Sequence, residues 1–297
     1  MTSVISKLKD FEKSWNEFWF CSVDLRFVSL FRQLFGLVIF SYYGFRWIYL
    51  KLFFTDEGLV PLQEGMHFFS GRFFAFYFWF PQSLEAIHLL YAGFMLSLAL
   101  LTLGIKPRLF AWIALFLHLL FVQRNYAVIY GADKVVSCWL LYLGLCASSV
   151  KIKSKEPVWS TDLWSGVGVR LIQIQLCVIY LYSGLEKLRG GTWWSGTALW
   201  AILTNQDLVY FDFSFLAHFP LLVVMGSYFA IFFELYFPVA MTYPKLRLWW
   251  LKLGAAFHVL IGLLMNLPAF SLVMVLPYLL FLPQVVRKNR LDPLKAQ

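Results

Sequence analysis

The sequence predicts an all-α integral membrane protein with about eight transmembrane helices, and its composition is the first reason. Of the 297 residues, 61% are apolar and only 14% are charged, whereas soluble domains are about half apolar and a quarter charged. Long stretches with few charges recur, each close to the roughly 20 residues that cross a hydrocarbon core. The basic residues fall between these stretches and favour alternate sides. The bilayer is therefore the expected solvent for most of the chain.

The first residues are expected to form an amphipathic helix in the cytoplasmic membrane interface. Lys7, Lys9 and Lys13 alternate there with Trp15 and Trp19, a pattern typical of interfacial helices. The segment has no short apolar stretch followed by a small-residue cleavage site, so we do not expect a secretory signal. We divide the chain into this interfacial segment, a polytopic transmembrane domain and a basic cytoplasmic tail, which cover residues 1–26, 27–284 and 285–297.

Eight apolar stretches account for the transmembrane domain. They lie at about Phe27–Leu50, Leu84–Leu103, Leu109–Val122, Val135–Val150, Val169–Gly184, Leu221–Tyr243, Leu246–Met265 and Phe270–Leu282. After the fifth stretch, Gly196–Leu203 is apolar but too short to cross, so we expect an interfacial or re-entrant segment there.

The distribution of basic residues predicts the orientation of the helices. With the N-terminus in the cytoplasm, 17 of the 25 lysines and arginines fall on the cytoplasmic side and 6 on the other, while Arg32 and Arg46 lie inside the first stretch. Cytoplasmic loops of membrane proteins carry this excess of positive charge. The sequence therefore predicts an even number of helices, with both termini in the cytoplasm.

Other classes of function find no support in the sequence. The net charge of +9 is explained by the loop bias, and no nucleic-acid-binding motif accompanies it. The four cysteines have no paired spacing, and we interpret them as small buried hydrophobic residues. The five histidines have no ligand spacing, so we expect no metal.

Three polar side chains inside predicted helices are candidates for function, because a charge there costs at least about 2.5 kcal/mol. Arg32 lies about two turns into the first helix, so it either has a partner or extends to the cytoplasmic surface. Glu234 lies too deep in the sixth helix to reach water, and it either pairs with an arginine or takes part in catalysis. His258, near the middle of the seventh helix, is either a hydrogen-bonded packing residue or a functional one.

Lys187 stands at the predicted outer end of the fifth helix. Gly190 and Gly191 follow, which we expect to let the backbone turn tightly, and Trp193 marks a membrane interface. A half-buried lysine loses hydration, which favours the neutral amine and suits a general base. The alternative is an interfacial anchor that pairs with Glu186.

Further polar residues precede the fourth helix on the same predicted side as Lys187. They are Arg124, Asn125, Asp133 and Lys134. An outward-facing polar pocket near Lys187 is one arrangement that they allow, although spacing alone does not show that they converge.

Several motifs together resemble the horizontally transferred transmembrane (HTTM) domain, the membrane portion of vitamin K-dependent γ-glutamyl carboxylase and of many bacterial proteins. The most specific match runs from Val169 through Ser183-Gly184, Lys187-Leu188, Gly191 and Trp193 to Gly196-Thr197-Ala198-Leu199. Weaker matches are Phe31-Arg32, the loop Thr55–Pro61, Glu234 and Phe257-His258.

The resemblance implies that Lys187 matches the lysine that deprotonates vitamin K hydroquinone in the carboxylase. There the hydroquinone reacts with O2, and the strong base so formed removes a proton from glutamate before CO2 adds. Two departures weaken the likeness for the carboxylation step. Residues 132–133 are Ala-Asp where the carboxylase has Asn-His, and the carboxylase has a large luminal domain after its helices. Quinol handling at Lys187 is thus better supported than glutamate carboxylation.

Two main hypotheses follow. The first is a bacterial inner-membrane enzyme that uses Lys187 on a reduced quinone, with O2 and CO2 as co-substrates, and that acts on the quinone alone or on a peptide or small substrate. Its candidate supporting groups are Asp133, Glu234, His258, Arg170, Arg32, Arg124 and Trp193, of which Arg170 lies at the cytoplasmic end.

The second hypothesis is a non-enzymatic membrane partner for maturation, export or immunity of a secreted peptide. Replacement of Lys187 by arginine separates a neutral base from an anchor, because arginine stays charged. A transporter is less supported, since no inverted repeat is visible.

Overall fold

The computed structural model describes residues 2–64, 80–150, 156–283 and 285–287. The chain divides into two compact units, one formed by residues 1–172 and 284–297 and the other by residues 173–283. Several predicted features lie outside the described residues: Arg72, Lys151, Lys153, Lys155 and the tail beyond 287.

The first unit is built from helices in chain order. They are α1 (Thr2–Trp19), α2 (Leu25–Arg46), α3 (Leu50–Phe54), α4 (Leu84–Leu103), α5 (Pro107–Arg124) and α6 (Gly131–Cys146), with 3-10 turns at Trp47–Tyr49 and Tyr126–Val128. α7 (Leu163–Arg189) begins in the first unit and ends in the second.

The second unit continues with short and long helices. They are α8 (Gly191–Trp194), α9 (Ala198–Leu203), a 3-10 turn at Ser214–His218, α10 (Pro220–Thr242), α11 (Pro244–Leu264) and α12 (Pro268–Val275), which continues as a 3-10 helix at Leu276–Phe281. Within this unit, Leu203, Val209, Leu216 and Val223 form a small apolar core that attaches the segment before α10 to the first turns of α10.

Each of the eight predicted stretches contains a helix, although the helix of the fourth stretch ends at Cys146 and not at the predicted Val150. Five helices among the described residues are long and apolar enough to cross a membrane. These are Leu25–Phe54, Leu84–Leu103, Leu163–Arg189, Pro220–Thr242 and Pro244–Leu264. The other three predicted crossings correspond to α5, α6 and α12, which are shorter or less apolar. A multi-pass all-α membrane protein is therefore confirmed, whereas the count of eight stays a prediction.

The predicted boundaries of the fifth crossing were wrong. α7 has 27 residues and extends beyond the predicted Val169–Gly184 at both ends. The additional residues, Leu163–Gly168 and Leu185–Arg189, are less apolar, and the apolar pattern used for the prediction therefore left them out. Asp162 caps its start by accepting hydrogen bonds from the Ser165 backbone N–H at 2.8 Å and from the Ser165 hydroxyl at 2.9 Å. Burial opposes ionisation of Asp162, but these bonds and Arg108 outweigh it and lower the pKa of its carboxyl.

A two-stranded sheet that the sequence did not predict joins distant parts of the first unit. β1 (Ser22–Val23) pairs antiparallel with β2 (Val286–Arg287). The segment before α7 joins them, since the Leu25 N–H donates to the Val158 carbonyl at 2.8 Å and the Ser160 N–H donates to the Val23 carbonyl at 2.9 Å. The chain before α2, before α7 and after the last helix therefore meets at one place.

α1 has the predicted amphipathic character. Phe11, Trp15 and Trp19 are spaced four residues apart and so follow one face of the helix, with ring centroids 6.0 Å and 5.8 Å apart. Leu8 and Phe11 are more than half exposed, so the first unit does not cover this apolar face.

Candidate functional site

The centre of the candidate site is an ion pair between α7 and α10 in the second unit. Lys187 Nζ lies 2.7 Å from Glu234 Oε2. The Lys187 side chain is 18% exposed and that of Glu234 is 7% exposed. The structure thus brings together two of the predicted site residues that are 47 positions apart in the sequence.

Two further side chains complete the surroundings of the lysine. Nζ donates a hydrogen bond to Ser183 Oγ at 2.8 Å, and Ser183 lies one turn earlier on the same face of α7. Nζ also lies 5.1 Å from the centre of the Trp193 ring, within the range of a cation–π contact. α7 and α10 approach closely here, and the absence of a side chain on Gly184 allows it. A Cβ atom at that position would lie 2.9 Å from the Leu235 side chain.

A second polar cluster in the same unit contains His258. The Tyr180 hydroxyl lies 2.6 Å from His258 Nε2 and 2.5 Å from the Tyr278 hydroxyl. Among the described residues, His258 Nδ1 has no hydrogen-bond partner. These contacts make His258 a hydrogen-bonded core residue and leave open whether it also has a functional role. Tyr180 and Tyr278 were not predicted because tyrosine is common in apolar helices.

The alternative pairing of Lys187 with Glu186 was wrong. Glu186 pairs with Arg189 at 2.7 Å, because residues three apart lie on the same face of a helix whereas adjacent residues do not. α7 ends before Gly190, whose backbone is extended with φ −87°, so the helix breaks at the predicted glycines. The left-handed residue of this segment is Gly196, with φ +71°, and the chain turns there as well.

Asp133 lies in a different cluster, inside the first unit. It accepts hydrogen bonds from the Tyr43 hydroxyl at 2.8 Å, from Arg46 at 3.0 and 3.2 Å, and from the Tyr130 N–H at 2.9 Å. The Asp133 carbonyl also contacts His118 Nε2 at 3.0 Å. A cavity of about 10 Å³ adjoins this cluster, which is near the minimum for one water.

Arg32 and Arg124 each bind backbone carbonyls of the first unit. Arg32 is 1% exposed, and its guanidinium donates to the Ser148 carbonyl at 3.0 Å, to the Thr102 carbonyl at 2.7 Å and to that of Leu101. It therefore neutralises the C-terminal end of α4 and does not reach the surface.

Arg124 holds the loop that follows α3. It donates to the Val60 carbonyl at 2.9 Å and to Asp56 Oδ1 at 3.0 Å, while Asn125 donates to the Phe53 carbonyl at 2.5 Å. A Cβ atom on Gly58 would lie 2.2 Å from the Leu52 carbonyl oxygen, so this loop also requires glycine. The loop that matched the family motif is thus fixed by side chains of α5.

Arg170 is in the second turn of α7, whereas Lys187 is in the last turn. Its guanidinium donates to the Phe18 carbonyl at 3.0 Å and lies 4.6 Å from the centre of the Phe18 ring. Arg170 therefore attaches α7 to the end of α1. Of the predicted supporting residues, the structure places Glu234 and Trp193 against Lys187, while Asp133, Arg32, Arg124 and Arg170 have partners within the first unit.

The Lys187 cluster does not contain a set of metal ligands in the described part of the chain. No group of three His, Cys, Asp or Glu side chains there has the arrangement to hold a metal. A hollow of about 300 Å³ lies elsewhere in the second unit. It is lined by Leu203, Thr204, Gln206, Val209, Tyr210, Phe211, Asp212, Phe213 and Ser214.

These features define a multi-pass membrane protein with a buried lysine–glutamate pair between two long helices. Its sequence matches the profile of the HTTM domain over residues 20–285. The chain therefore belongs to the HTTM domain family, the membrane domain of the vitamin K-dependent carboxylase family. No curated protein and no solved structure matches the chain.

Proposed function

We propose that this protein is a membrane enzyme that oxidises a reduced quinone with O2 at the Lys187–Glu234 pair. The observation that carries the proposal is the pair itself, a lysine and a carboxylate 2.7 Å apart and largely buried. A charged pair costs several kcal/mol to desolvate, and intramembrane charges are typical of functional sites. Family membership adds the expectation of quinol chemistry at this lysine.

The residues around the pair fit the hydroxyl of a quinol. Lys187 is the expected proton acceptor, the Glu234 carboxylate balances the charge that the lysine gains, and the centre of the Trp193 ring lies 5.1 Å from the lysine nitrogen. A quinol supplies electrons to O2 once its hydroxyl has lost a proton, and the protein has to bind that hydroxyl and hold the proton. Coupling to a CO2-dependent or peptide modification belongs to the same proposal, as a later step.

We further propose that the protein lies in the bacterial inner membrane with both termini in the cytoplasm. The three-to-one excess of basic residues on one side supports this orientation. The pairing of β1 with β2 supports an even number of crossings, because it places residues 22–23, before the first proposed crossing, beside residues 286–287, after the last one. In this orientation the last turn of α7, with Lys187, faces away from the cytoplasm.

The test is oxygen uptake by the purified protein in nanodiscs with a reduced naphthoquinone, together with mass spectrometry for the quinone epoxide. We expect epoxide from the wild type and a loss of about 100-fold or more in Lys187→Ala, the range for removal of a proton-transfer group. Lys252→Ala is the matched control, because Lys252 also lies 5.1 Å from a tryptophan ring but on an exposed part of α11. Absence of turnover with several quinols would contradict the proposal.

A second candidate is a non-enzymatic membrane partner of a secreted peptide. The observation in its favour is that Lys187 is occupied by Ser183, Glu234 and Trp193, as in an ion pair that only joins two helices. In that case quinol turnover is absent, and Lys187→Met combined with Glu234→Met preserves the cellular function, since matched apolar residues replace a buried pair with little loss of stability.

A further inference from the structure

The hydroxyl of Ser183 is used differently from those of several other helical serines in this protein. Those hydroxyls donate to the backbone carbonyl one turn earlier on their own helix, a common arrangement. They belong to Ser97, Ser137 and Ser227, at 2.7, 3.1 and 2.9 Å. Ser183 instead accepts a hydrogen bond from Lys187 Nζ at 2.8 Å. Its side chain is thus directed to the candidate site and not to its own backbone.

The same hydroxyl also contacts the partner of the lysine. Ser183 makes a side-chain hydrogen bond to the Glu234 carboxylate. A serine hydroxyl has one donor and two acceptor positions, so it can accept from Nζ and donate to the carboxylate at the same time. With Nζ 2.7 Å from Glu234 Oε2, the three side chains contact one another in a closed triangle.

These contacts limit the directions in which Lys187 can present a lone pair. A neutral amine has two N–H groups and one lone pair, which occupy three corners of a tetrahedron around the nitrogen. Ser183 Oγ and Glu234 Oε2 lie 2.8 and 2.7 Å from Nζ, and each attracts an N–H hydrogen. The lone pair then takes the remaining corner, which points away from both oxygens. A charge attracts with little dependence on direction, whereas a hydrogen bond is directional, so the serine adds a constraint that the carboxylate alone does not supply.

We propose that Ser183 is a positioning residue that fixes the direction in which Lys187 presents its lone pair to the substrate hydroxyl. The inference rests on the proposed function, in which Lys187 takes a proton from the quinol. In that step the substrate O–H bond breaks, a bond forms between the proton and Nζ, and the electron pair stays on the substrate oxygen. The new N–H points at that oxygen, and the contacts of Nζ with Ser183 and Glu234 remain as they were.

Without the serine hydroxyl, the lysine stays paired but is less well directed. Glu234 still attracts Nζ, but the amino group can rotate among three staggered positions about the Cε–Nζ bond. Proton transfer requires aligned reacting atoms, so this rotation slows the chemical step. It does not remove a contact that binds the rest of the quinol. The expected effect is therefore on kcat and not on KM.

The oxygen-uptake assay with reduced 2-methyl-1,4-naphthoquinone tests this role. We expect Ser183→Ala to lower kcat about 10-fold with little change in KM, and Ser183→Thr, which keeps a hydroxyl, to recover most of the rate. Ser97→Ala is the matched control, because it removes a helical hydroxyl whose partner is a backbone carbonyl. There we expect the kcat of the wild type. An unchanged kcat in Ser183→Ala, or an equal loss in Ser97→Ala, would overturn the proposal.

The pH dependence of kcat and the fraction of folded protein separate positioning from other effects. We expect Ser183→Ala to have a lower maximum of kcat over nearly the same pH range, because the hydroxyl acts on the direction of the amine. A shifted pH range with an unchanged maximum would overturn the proposal in favour of an effect on charge. A loss that disappears once rates are divided by the folded fraction would overturn it as well. Failure of the proposed function is distinguishable, since the wild type itself then takes up no oxygen.

Discussion

Tyr180 connects the buried polar groups in the core of the second unit. Its hydroxyl is the hydrogen-bond partner of both His258 and Tyr278, and its ring stacks on Phe237 with centroids 4.1 Å apart. His258 and Tyr278 are themselves buried. Removal of one oxygen atom therefore leaves two buried polar groups without the partner that they have in the native structure.

We expect Tyr180→Phe to destabilise the protein by about 1–3 kcal/mol, the cost of unsatisfied buried polar groups. The corresponding decrease in Tm is about 2–10 °C. The measurement is thermal unfolding in detergent or nanodiscs. Tyr182→Phe is the control, since Tyr182 lies on the same helix but is 64% exposed. Equal Tm values for the two variants would show that the hydroxyl of Tyr180 adds nothing to stability.

The limits of sequence analysis at this scale have a physical origin. The sequence marked Lys187 and Glu234 separately, because a charge in an apolar stretch is conspicuous. It gave no indication that they pair, since residues 47 positions apart meet only through the packing of α7 against α10. Arg46 and Asp133 form a second such pair at 3.0 Å. The sequence identifies Arg46 as a charge inside a helix and Asp133 as a candidate for the site of Lys187, but it does not show that the two side chains are partners. Tyr180 and Tyr278 had no signal, because only burial makes their hydroxyls important.

At the scale of elements, close contact between α2 and α4 depends on a glycine in the middle of α2. A Cβ atom on Gly36 would lie 2.2 Å from Thr102 Oγ1 and 3.2 Å from Thr102 Cα. Small residues allow membrane helices to approach closely, since lipid offers no hydrophobic driving force for their association. Gly36 therefore contributes to packing although glycine disfavours the helix itself.

We expect Gly36→Ala to destabilise the protein by about 1–3 kcal/mol through overpacking, despite the higher helix propensity of alanine. Gly93→Ala on α4 is the matched control, because its Cβ atom would have its nearest neighbour, Leu117 Cδ1, at 3.9 Å. There we expect no loss, or a gain of up to about 1 kcal/mol. Thermal unfolding measures both, and adding Thr102→Ala to Gly36→Ala should recover part of the loss. Similar behaviour of the two glycine variants would contradict tight packing at Gly36.

Helix positions were easier to predict than helix ends. Each apolar stretch contains a helix because a chain inside a bilayer has to pair its own backbone N–H and C=O groups. The ends of α7 were wrong because the helix continues through Leu185–Arg189, where charged side chains end the apolar pattern without breaking the backbone hydrogen bonds. β1 and β2 were missed because two-residue strands have no periodicity to detect.

At the scale of the whole molecule, sidedness is the property that connects sequence and proposed function. The positive charge of the loops and the pairing of β1 with β2 are independent observations. The first depends on where lysines and arginines fall between helices, and the second on backbone hydrogen bonds between residues 22–23 and 286–287. Both favour an even number of crossings. In the proposed orientation, the end of α7 that carries Lys187 lies on the side of the membrane away from the cytoplasm.

Single cysteines introduced in a background without native cysteine test this orientation. The background replaces Cys21, Cys138, Cys146 and Cys177 by alanine. Asp207→Cys and Lys245→Cys lie at exposed positions before and after α10, one crossing apart, and Glu12→Cys lies on α1. We expect a membrane-impermeant maleimide to label Asp207→Cys in intact cells, and the other two only after permeabilisation, because the excess of positive charge keeps their segments in the cytoplasm.

Labelling of Lys245→Cys but not of Asp207→Cys in intact cells would invert the topology and place Lys187 toward the cytoplasm. Labelling of both in intact cells would mean that α10 does not cross the membrane.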